Sequence, residues 1–417
     1  MNTKTLRAGA AAAVAAALLL TGCSASGSDK PTITFSLYMT ADSAAKPVYE
    51  KLIDEFTDKT GIAVDMSYDT TNYENNIKVQ MAAGNLPDVF ATHGWSVLRY
   101  SDFLEPLDDQ SWTADVNPAL DESMRDAEGH LYALPVEYTV AGIAVNRAVL
   151  DAAGVDEDSI ATWDDFDDAL AKVAASGVTP ITASGKSSSA GNMADFIASN
   201  AFTDAQLTSF SDGEFDTDAW ADQVLSHVKD WTDAGYINPD YVSASLDDMA
   251  SQLAQGQAAF ALVPASSILA TALQLNPDAE IGFIPIPSDQ GDRYLVGGEG
   301  IHSFGVSKAS KNEEAALKFV DFLAEPDNAG AIASALGSYS GLTNVTVDLG
   351  VLQSSYDRWV APAELPTKPF FDRVYLPNGI WNTMIATTDS VITGQASPAD
   401  AAEQMKIQYD TLRTQAG

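Results

Sequence analysis

The chain has 417 residues, of which 46% are hydrophobic and 9% aromatic, so it can bury a large core and is long enough for two domains. Its formal net charge of −36 argues against nucleic acid and anionic lipid as partners, because a strongly acidic surface repels both. Its single cysteine excludes an intrachain disulfide framework.

The N-terminus has the pattern of an export and anchoring signal. Lys4 and Arg7 precede the apolar run 8–20, which suits the core of a signal peptide and is too short to span a bilayer. The run ends in Leu-Thr-Gly-Cys at 20–23, which resembles the lipobox of bacterial lipoproteins. The resemblance implies a signal peptide over 1–22, diacylation of Cys23 and a flexible tether over 23–31. A plain signal peptide with an incidental cysteine is the alternative.

Strand and helix patterns alternate after the tether. Alternating apolar residues predict a strand at 33–38, and apolar residues spaced four apart predict a helix that ends before Gly61. A strand at 63–68, a helix at 73–83 and a strand at 88–92 follow. Strands that alternate with helices in this way are typical of a parallel α/β layer with helical crossovers.

A second α/β region is predicted from residue 140 onward. Its strands are predicted at 140–145, 258–263 and 281–286. Residues 162–165, Thr-Trp-Asp-Asp, have the form of a capping box and predict the start of a helix. Trp163, Trp220 and Trp231 lie on apolar helix faces, so we assign these three side chains to the core.

The last part of the chain returns to the pattern of the first region. A strand is predicted at 303–307, followed by a helix that begins after Ser310. Further helices are predicted around 381–392 and 397–412, the second of which starts with Ser-Pro, a good N-cap and first-turn pair.

Several short segments share an order and spacing that indicate a family. They lie at 82–89, 132–135, 144–146, 161–166, 177–181, 255–260 and 306–313. Taken together, they resemble the bacterial extracellular solute-binding proteins of ABC importers, in the carbohydrate group that includes maltose-binding protein. The resemblance covers nearly the whole mature chain.

The resemblance implies a two-lobed α/β fold of the periplasmic-binding-protein type, with the ligand between two α/β domains joined by a multi-segment hinge. The implied N-terminal lobe comprises 32–140 and 301–340, the C-terminal lobe comprises 141–298 and 344–417, and the hinge crossings lie near 138–142, 297–303 and 337–344. Gly297, Gly298 and Gly300 fit a hinge because glycine tolerates large backbone changes, although a tight turn would also favour them.

The candidate ligand residues follow strand ends, where open α/β sheets bind ligands. A sugar site needs aromatic faces for the C–H side of the ring and polar groups for the hydroxyls. The candidates are Thr40, Asp42, Tyr73, His93, Trp95 and Tyr138 in the first lobe, Asn192, Ser266 and Trp381 in the second, and Glu299 at a crossing. Trp381 stands thirteen positions before Gly394, a spacing at which maltose-binding protein places a sugar-stacking tryptophan. Tyr73 and Tyr138 fit core packing equally well.

The resemblance implies a lipid-anchored, monomeric receptor on the extracytoplasmic face of the cell membrane, which it contacts only through the anchor. It would capture an oligosaccharide and present it to an ABC permease, without catalysis and without a cofactor. A binding protein for a peptide or polyamine, a secreted glycoside hydrolase and a passive surface adhesin remain alternatives. The four histidines share no metal-ligand spacing, so no metal site is predicted.

Overall fold

The computed structural model describes residues 31–416 except positions 42, 44, 70–72, 93–96, 265–267, 301, 363 and 378. At 98, 122, 270, 299, 351, 415 and 416 it describes the backbone alone. The predicted signal peptide and Cys23 lie outside the described residues, and so do four candidate ligand residues: Asp42, His93, Trp95 and Ser266. Within the described part of the chain, no helix combines the length and the apolarity needed to cross a membrane.

The secondary structure of the described residues alternates between strands and helices through much of the chain. The strands are β1 (Thr32–Tyr38), β2 (Ala63–Asp69), β3 (Val89–Ala91), β4 (Leu134–Pro135), β5 (Tyr138–Ala141), β6 (Ile143–Asn146), β7 (Thr179–Ile181), β8 (Ala258–Ala261), β9 (Ile281–Ile284), β10 (Leu295–Glu299), β11 (Ser303–Val306) and β12 (Thr367–Pro369). The α-helices are α1 (Lys46–Thr60), α2 (Tyr73–Ala83), α3 (Val97–Tyr100), α4 (Asp121–Met124), α5 (Arg147–Ala152), α6 (Trp163–Ala175), α7 (Ser189–Ala198), α8 (Asp204–Asp212), α9 (Thr217–Trp220), α10 (Ser226–Asp233), α11 (Leu246–Ala254), α12 (Leu269–Leu275), α13 (Glu313–Ala324), α14 (Pro326–Leu336), α15 (Gln353–Trp359), α16 (Phe371–Val374), α17 (Trp381–Ile392) and α18 (Pro398–Ala416). A π-helical segment, Ala221–Leu225, joins α9 to α10.

The first sheet has the strand order β2-β1-β3-β11-β4. β1 is parallel to both β2 and β3, and its register pairs Thr32 with Ala63 and Phe35 with Val89. β11 is antiparallel to β3 and to β4, so a strand from late in the chain completes this sheet. The parallel pairing of the first three strands confirms the predicted α/β layer.

Aromatic rings join the first sheet to its covering helices. Phe319 of α13 lies between Phe35 of β1 and Phe56 of α1, at ring-centroid distances of 5.1 and 5.0 Å in edge-on geometry. Burying each of these rings stabilises the fold by about 1.5–3 kcal/mol. α1 ends where Gly61 adopts a left-handed conformation at a φ of 75°, as the sequence predicts.

The second sheet has the strand order β7-β8-β6-β9 and packs against an aromatic core. Trp163 begins α6, whose capping box is present: the backbone N–H of Asp165 donates to the Thr162 hydroxyl oxygen at 3.0 Å. Trp163 and Trp231 are buried, with ring centroids 5.8 Å apart, and Trp220 is buried as well. The assignment of these three tryptophans to the core is confirmed.

A third sheet has three strands in the order β12-β10-β5. The sequence predicted one strand over 140–145, and that prediction is wrong. β5 pairs antiparallel with β10 in this sheet, whereas β6 belongs to the second sheet. Gly142 lies between the two strands, and a Cβ atom there would overlap the carbonyl oxygen of Ile284, so the position requires glycine.

The second sheet has hydrophobic core on both faces. Ile143 and Val145 of β6 join the core that contains Trp163 and Phe260. Ala144, which points to the opposite face, joins a core that continues to the first sheet. Because this core extends across both sheets, apolar packing alone does not delimit the lobes, and the predicted lobe and hinge boundaries stay a prediction.

Candidate ligand-binding site

Helix α7 brings two of the predicted ligand residues together. Trp381, the first residue of α17, lies with its ring edge on Gly191 of α7, where a Cβ atom would come within 3.2 Å of Cη2 and 3.4 Å of Cζ2. Asn192 is the next residue of α7, and both Asn192 and Trp381 are half-buried. The indole edge therefore packs on the protein while part of the side chain stays accessible.

One turn further along α7, Asp195 holds the short helix α16. Its Oδ1 atom accepts the backbone N–H of Asp372 at 3.0 Å, and the Asp195 side chain is only 1% exposed. Burial raises the pKa of Asp195 well above its ordinary value, and the nearby Asp372 carboxyl raises it further. Burial also raises the pKa of Asp372, against the opposing effect of Arg373 and Arg99.

Helix α16 also contacts the three-stranded sheet. The Arg373 guanidinium lies over the Phe370 ring, 4.5 Å from its centroid. A Cβ atom on Gly298 of β10 would lie 3.1 Å from Phe370 Cδ2 and 3.5 Å from Arg373 Nη1. We call Asn192, Trp381, Asp372 and Arg373 the α7 surface, since all four are carried by α7 or by helices packed against it.

A buried hydrogen-bond network anchors the chain next to Gly300. The backbone N–H of His302 donates to Glu137 Oε1 at 2.9 Å. His302 Nε2 lies 3.0 Å from the carbonyl oxygen of Tyr38, which can only accept, so this nitrogen donates a hydrogen bond to it. His302 Nδ1 forms a hydrogen bond with the Tyr49 hydroxyl at 2.8 Å. The network ties the segment after β10 to β1 and α1.

Close packing explains why glycine occupies positions 297 and 300. Gly297 and Gly298 lie in strand β10, so the tight-turn alternative is wrong for them. A Cβ atom on Gly297 would lie 2.6 Å from Thr367 Cγ2 and 2.7 Å from the Tyr138 hydroxyl oxygen, and one on Gly300 would overlap the Glu137 side chain. These glycines let side chains approach the backbone closely.

Two of the predicted ligand residues are packed into the structure. Tyr73 is buried, and its hydroxyl lies 2.6 Å from the Ala91 carbonyl oxygen and 3.2 Å from that of Ser36, so its single proton is already shared between β3 and β1. Tyr138 is buried in β5, and burial raises the pKa of its hydroxyl to about 12. This geometry favours the packing role that the sequence left open for both tyrosines.

The remaining described candidates lie at strand ends. Thr40 is exposed two residues after β1, and its carbonyl oxygen accepts the backbone N–H of Ser43 at 3.3 Å. The backbone of Glu299 pairs with Tyr138 at the end of β10. Among the candidates whose side chains are described, Asn192 and Trp381 are the half-buried ones, and Trp381 packs on Gly191, the neighbour of Asn192.

Sequence reasoning missed Asp195, Asp372 and Arg373. A signal for the first was present: Asp195 is the one charged residue in α7, whose other side chains are small, apolar or uncharged. A carboxyl group inside such a helix needs a partner when buried. No comparable signal marks Asp372 and Arg373, because α16 has four residues and no clear periodicity.

Two cavities are lined by described residues other than the four of the α7 surface. One of about 260 Å³ is lined by Arg147, Leu150, Asp151, Val155, Asp156, Glu157, Glu280 and Arg358. Another of about 410 Å³ is lined by Asn200, Gly291, Asp292, Arg293, Glu364, Leu365, Pro366 and Lys368. Neither contains a predicted ligand residue. No group of three or more acidic, histidine or cysteine side chains in the described residues is arranged to hold a metal ion.

Two α/β sheets connected through a third define the class of two-lobed α/β binding proteins. Residues 40–330 match the family described as bacterial extracellular solute-binding protein. The chain belongs to this family, which confirms the resemblance found in the sequence.

Relatives and solved structures agree with this assignment along the whole chain. The melibiose/raffinose/stachyose-binding protein MelE of Bacillus subtilis is 31% identical over 414 residues, which cover 95% of each chain. A binding protein of Bacillus subtilis, solved in an open conformation, is 29% identical with a TM-score of 0.85 and covers 93% of this chain and 99% of its own. A sugar transporter protein of Bacillus licheniformis, solved with stachyose, is 30% identical with a TM-score of 0.78 and covers 91% of this chain and 100% of its own. The predicted two-lobed α/β fold is confirmed.

Proposed function

We propose that this protein captures an oligosaccharide between two hinged lobes and passes it unaltered to the permease of an ABC importer. The observation that carries the proposal is the similarity to the melibiose/raffinose/stachyose-binding protein, which extends over 95% of both chains. A sugar complex of a second relative, with stachyose, supports the same ligand class.

The α7 surface has the chemistry that a sugar requires. The accessible part of Trp381 offers an aromatic face for the C–H side of a sugar ring. Asn192 offers both donors and an acceptor for hydroxyl groups, and Asp372 and Arg373 add an acceptor and donors. A site that leaves one buried hydroxyl without a partner loses about 1–3 kcal/mol, so such groups discriminate between sugars.

Ligand capture follows from a shift of population between open and closed states. The proposed lobes are 32–140 with 301–340 and 141–298 with 344–417, and strands β5 and β10 overlap two of the proposed crossings in the chain. A sugar that contacts both lobes binds the closed state better than the open one. That difference in affinity sets how far closure proceeds.

The proposed role is binding without catalysis. Asp195 and Asp372 are neighbouring carboxyl groups, but Asp195 is 1% exposed and its Oδ1 accepts a backbone N–H. A glycoside hydrolase needs two carboxyl groups that both reach the scissile bond. This pair therefore does not have the accessibility that a pair of hydrolase carboxyl groups needs.

We also propose that Cys23 carries two acyl chains and anchors a monomeric receptor to the outer face of the cell membrane. Two acyl chains give stable attachment to a membrane, whereas one acyl chain gives only marginal binding. Replacing Cys23 with serine, Cys23→Ser, should release the protein into the medium, as cell fractionation would measure. Retention of the variant at the membrane would contradict the proposed anchor.

A thermal-unfolding experiment tests the ligand class. Melibiose, raffinose and stachyose are compared with a peptide mixture and with spermidine, and the sugars are recovered for chromatography. A sugar at 100 times its Kd should stabilise the protein by about 2.7 kcal/mol. Stabilisation by spermidine or peptides alone would favour the other ligand classes, and shortened sugars in the recovered sample would favour a hydrolase.

A further inference from the structure

We infer that Asp195 is a positioning residue for the ligand site, which clamps helix α16 to α7 and so fixes Asp372 and Arg373 beside Trp381. The inference rests on the proposed function, since it concerns the sugar site of the α7 surface. Asp195 itself is buried and does not contact the ligand.

The Asp195 carboxyl group supplies an N-terminal cap that the residues of α16 do not provide themselves. The helix has only four residues, and its N-cap residue Phe370 provides no side-chain hydrogen bond to the first turn. A helix this short has no stability of its own, and its first N–H groups need acceptors from elsewhere. Asp195 of α7 accepts the N–H of Asp372 at 3.0 Å. A carboxyl group from another helix therefore takes the place of the local cap.

The position of the clamp links α16 to the rest of the α7 surface. Gly191, which receives the Trp381 ring edge, stands one helical turn before Asp195 on α7. The same rigid helix therefore sets the place of the indole ring and the place of α16. Loss of the hydrogen bond from Asp195 should therefore loosen α16 and leave the contact between Gly191 and Trp381 in place.

An uncharged oxygen acceptor should be able to replace the Asp195 carboxyl group. Asp372, Arg373 and Tyr294 face the carboxyl group, and Arg99 in turn acts on Asp372. The function of the clamp is to accept N–H groups, which a neutral oxygen also does. Asparagine keeps that oxygen in place, whereas alanine and serine remove it, since a serine hydroxyl tends to bond its own helix backbone.

The test compares stachyose affinity and backbone hydrogen exchange of residues 371–374 in the full-length protein and its variants. Asp195→Ala and Asp195→Ser should weaken stachyose binding at least about fivefold and speed exchange in α16, while Asp195→Asn should stay within about twofold of the unaltered protein. The control is Asp167→Ala on α6, which removes a half-buried carboxyl group that accepts a hydrogen bond from Trp231 Nε1 and has no hydrogen bond to α16. It should lower stability and leave affinity unchanged.

A double-mutant cycle separates positioning from general destabilisation. If Asp195 acts through α16, combining Asp195→Ser with Arg373→Ala should weaken binding by less than the product of the two single effects. Independent, multiplicative effects would overturn the inference, as would unchanged affinity in Asp195→Ser. The exchange measurement is made without sugar, so it tests the clamp independently of ligand binding. Failure of the unaltered protein to bind melibiose, raffinose and stachyose alike would instead refute the proposed function.

Discussion

The contact between Gly191 and Trp381 allows the indole ring to be displaced without being removed. In Gly191→Ala the new Cβ atom would lie 2.7 Å from Ile385 Cγ1 and 3.2 Å from Trp381 Cη2. Carbon atoms pack best at about 3.5–4.0 Å, so the ring must move by roughly 0.5 Å. A gap of that size costs a quarter to a half of the dispersion energy of a contact.

The effect on sugar binding follows from this displacement. An aromatic contact contributes about 0.5–1.5 kcal/mol beyond its buried area, so a displaced ring should weaken binding by about two- to fivefold. The free energy of unfolding should fall by up to about 2 kcal/mol, because crowding costs about 1–3 kcal/mol and alanine in place of glycine within a helix regains about 1 kcal/mol. Calorimetric titration with stachyose and urea unfolding measure the two quantities.

A second crowded helix glycine provides the control for this variant. Gly330 of α14 lies in the predicted first lobe, and a Cβ atom there would come within 2.8 Å of the Thr346 carbonyl oxygen. Gly330→Ala should lower stability and leave affinity unchanged. Equal losses of affinity in the two variants, or none in Gly191→Ala, would refute the reasoning about Trp381.

Further predictions concern the indole itself, the crossing and a helix cap. Trp381→Ala should weaken sugar binding by at least about 1 kcal/mol and leave the fold intact; an unchanged calorimetric Kd would remove Trp381 from the site. Gly300→Ala should destabilise the protein by about 1–3 kcal/mol in urea unfolding, because the new Cβ atom displaces the Glu137 carboxylate from its buried hydrogen bond. Hydrogen bonds from the Thr162 backbone and hydroxyl hold the pKa of Asp165 below its ordinary 3.8. The capping box therefore stabilises the folded protein fully when the pH is above 3.8, and this stabilisation is lost as the pH falls through the lowered pKa. Thr162→Ala should therefore cost about 1 kcal/mol at neutral pH and less in strong acid, and equal costs at both pH values would contradict this.

Local sequence signals predicted the helices that they delimit by themselves. The bounds Tyr73–Ala83 and Trp381–Ile392 agree with the prediction, and the capping box at the start of Trp163–Ala175 is present. In each case the information lies within a few residues: a glycine stop, an N-cap or a change of periodicity.

The sequence could not reveal features that depend on distant partners. The need for glycine at position 142 arises from the carbonyl oxygen of Ile284, and the Tyr73 hydroxyl bonds strands that lie 18 and 37 residues away. The cap of α16 likewise comes from Asp195, far earlier in the chain. Predicting such contacts requires knowing the packing of the elements, which periodicity and spacing do not contain.

The central claim is that a sugar binds reversibly and leaves unchanged. Isothermal titration of the chain beginning at Ser24 with stachyose, followed by chromatography of the recovered sugar, tests it most directly. The account predicts saturable binding at one site and recovery of intact stachyose. Absence of binding heat with melibiose, raffinose and stachyose alike, or recovery of cleaved sugar, would contradict it.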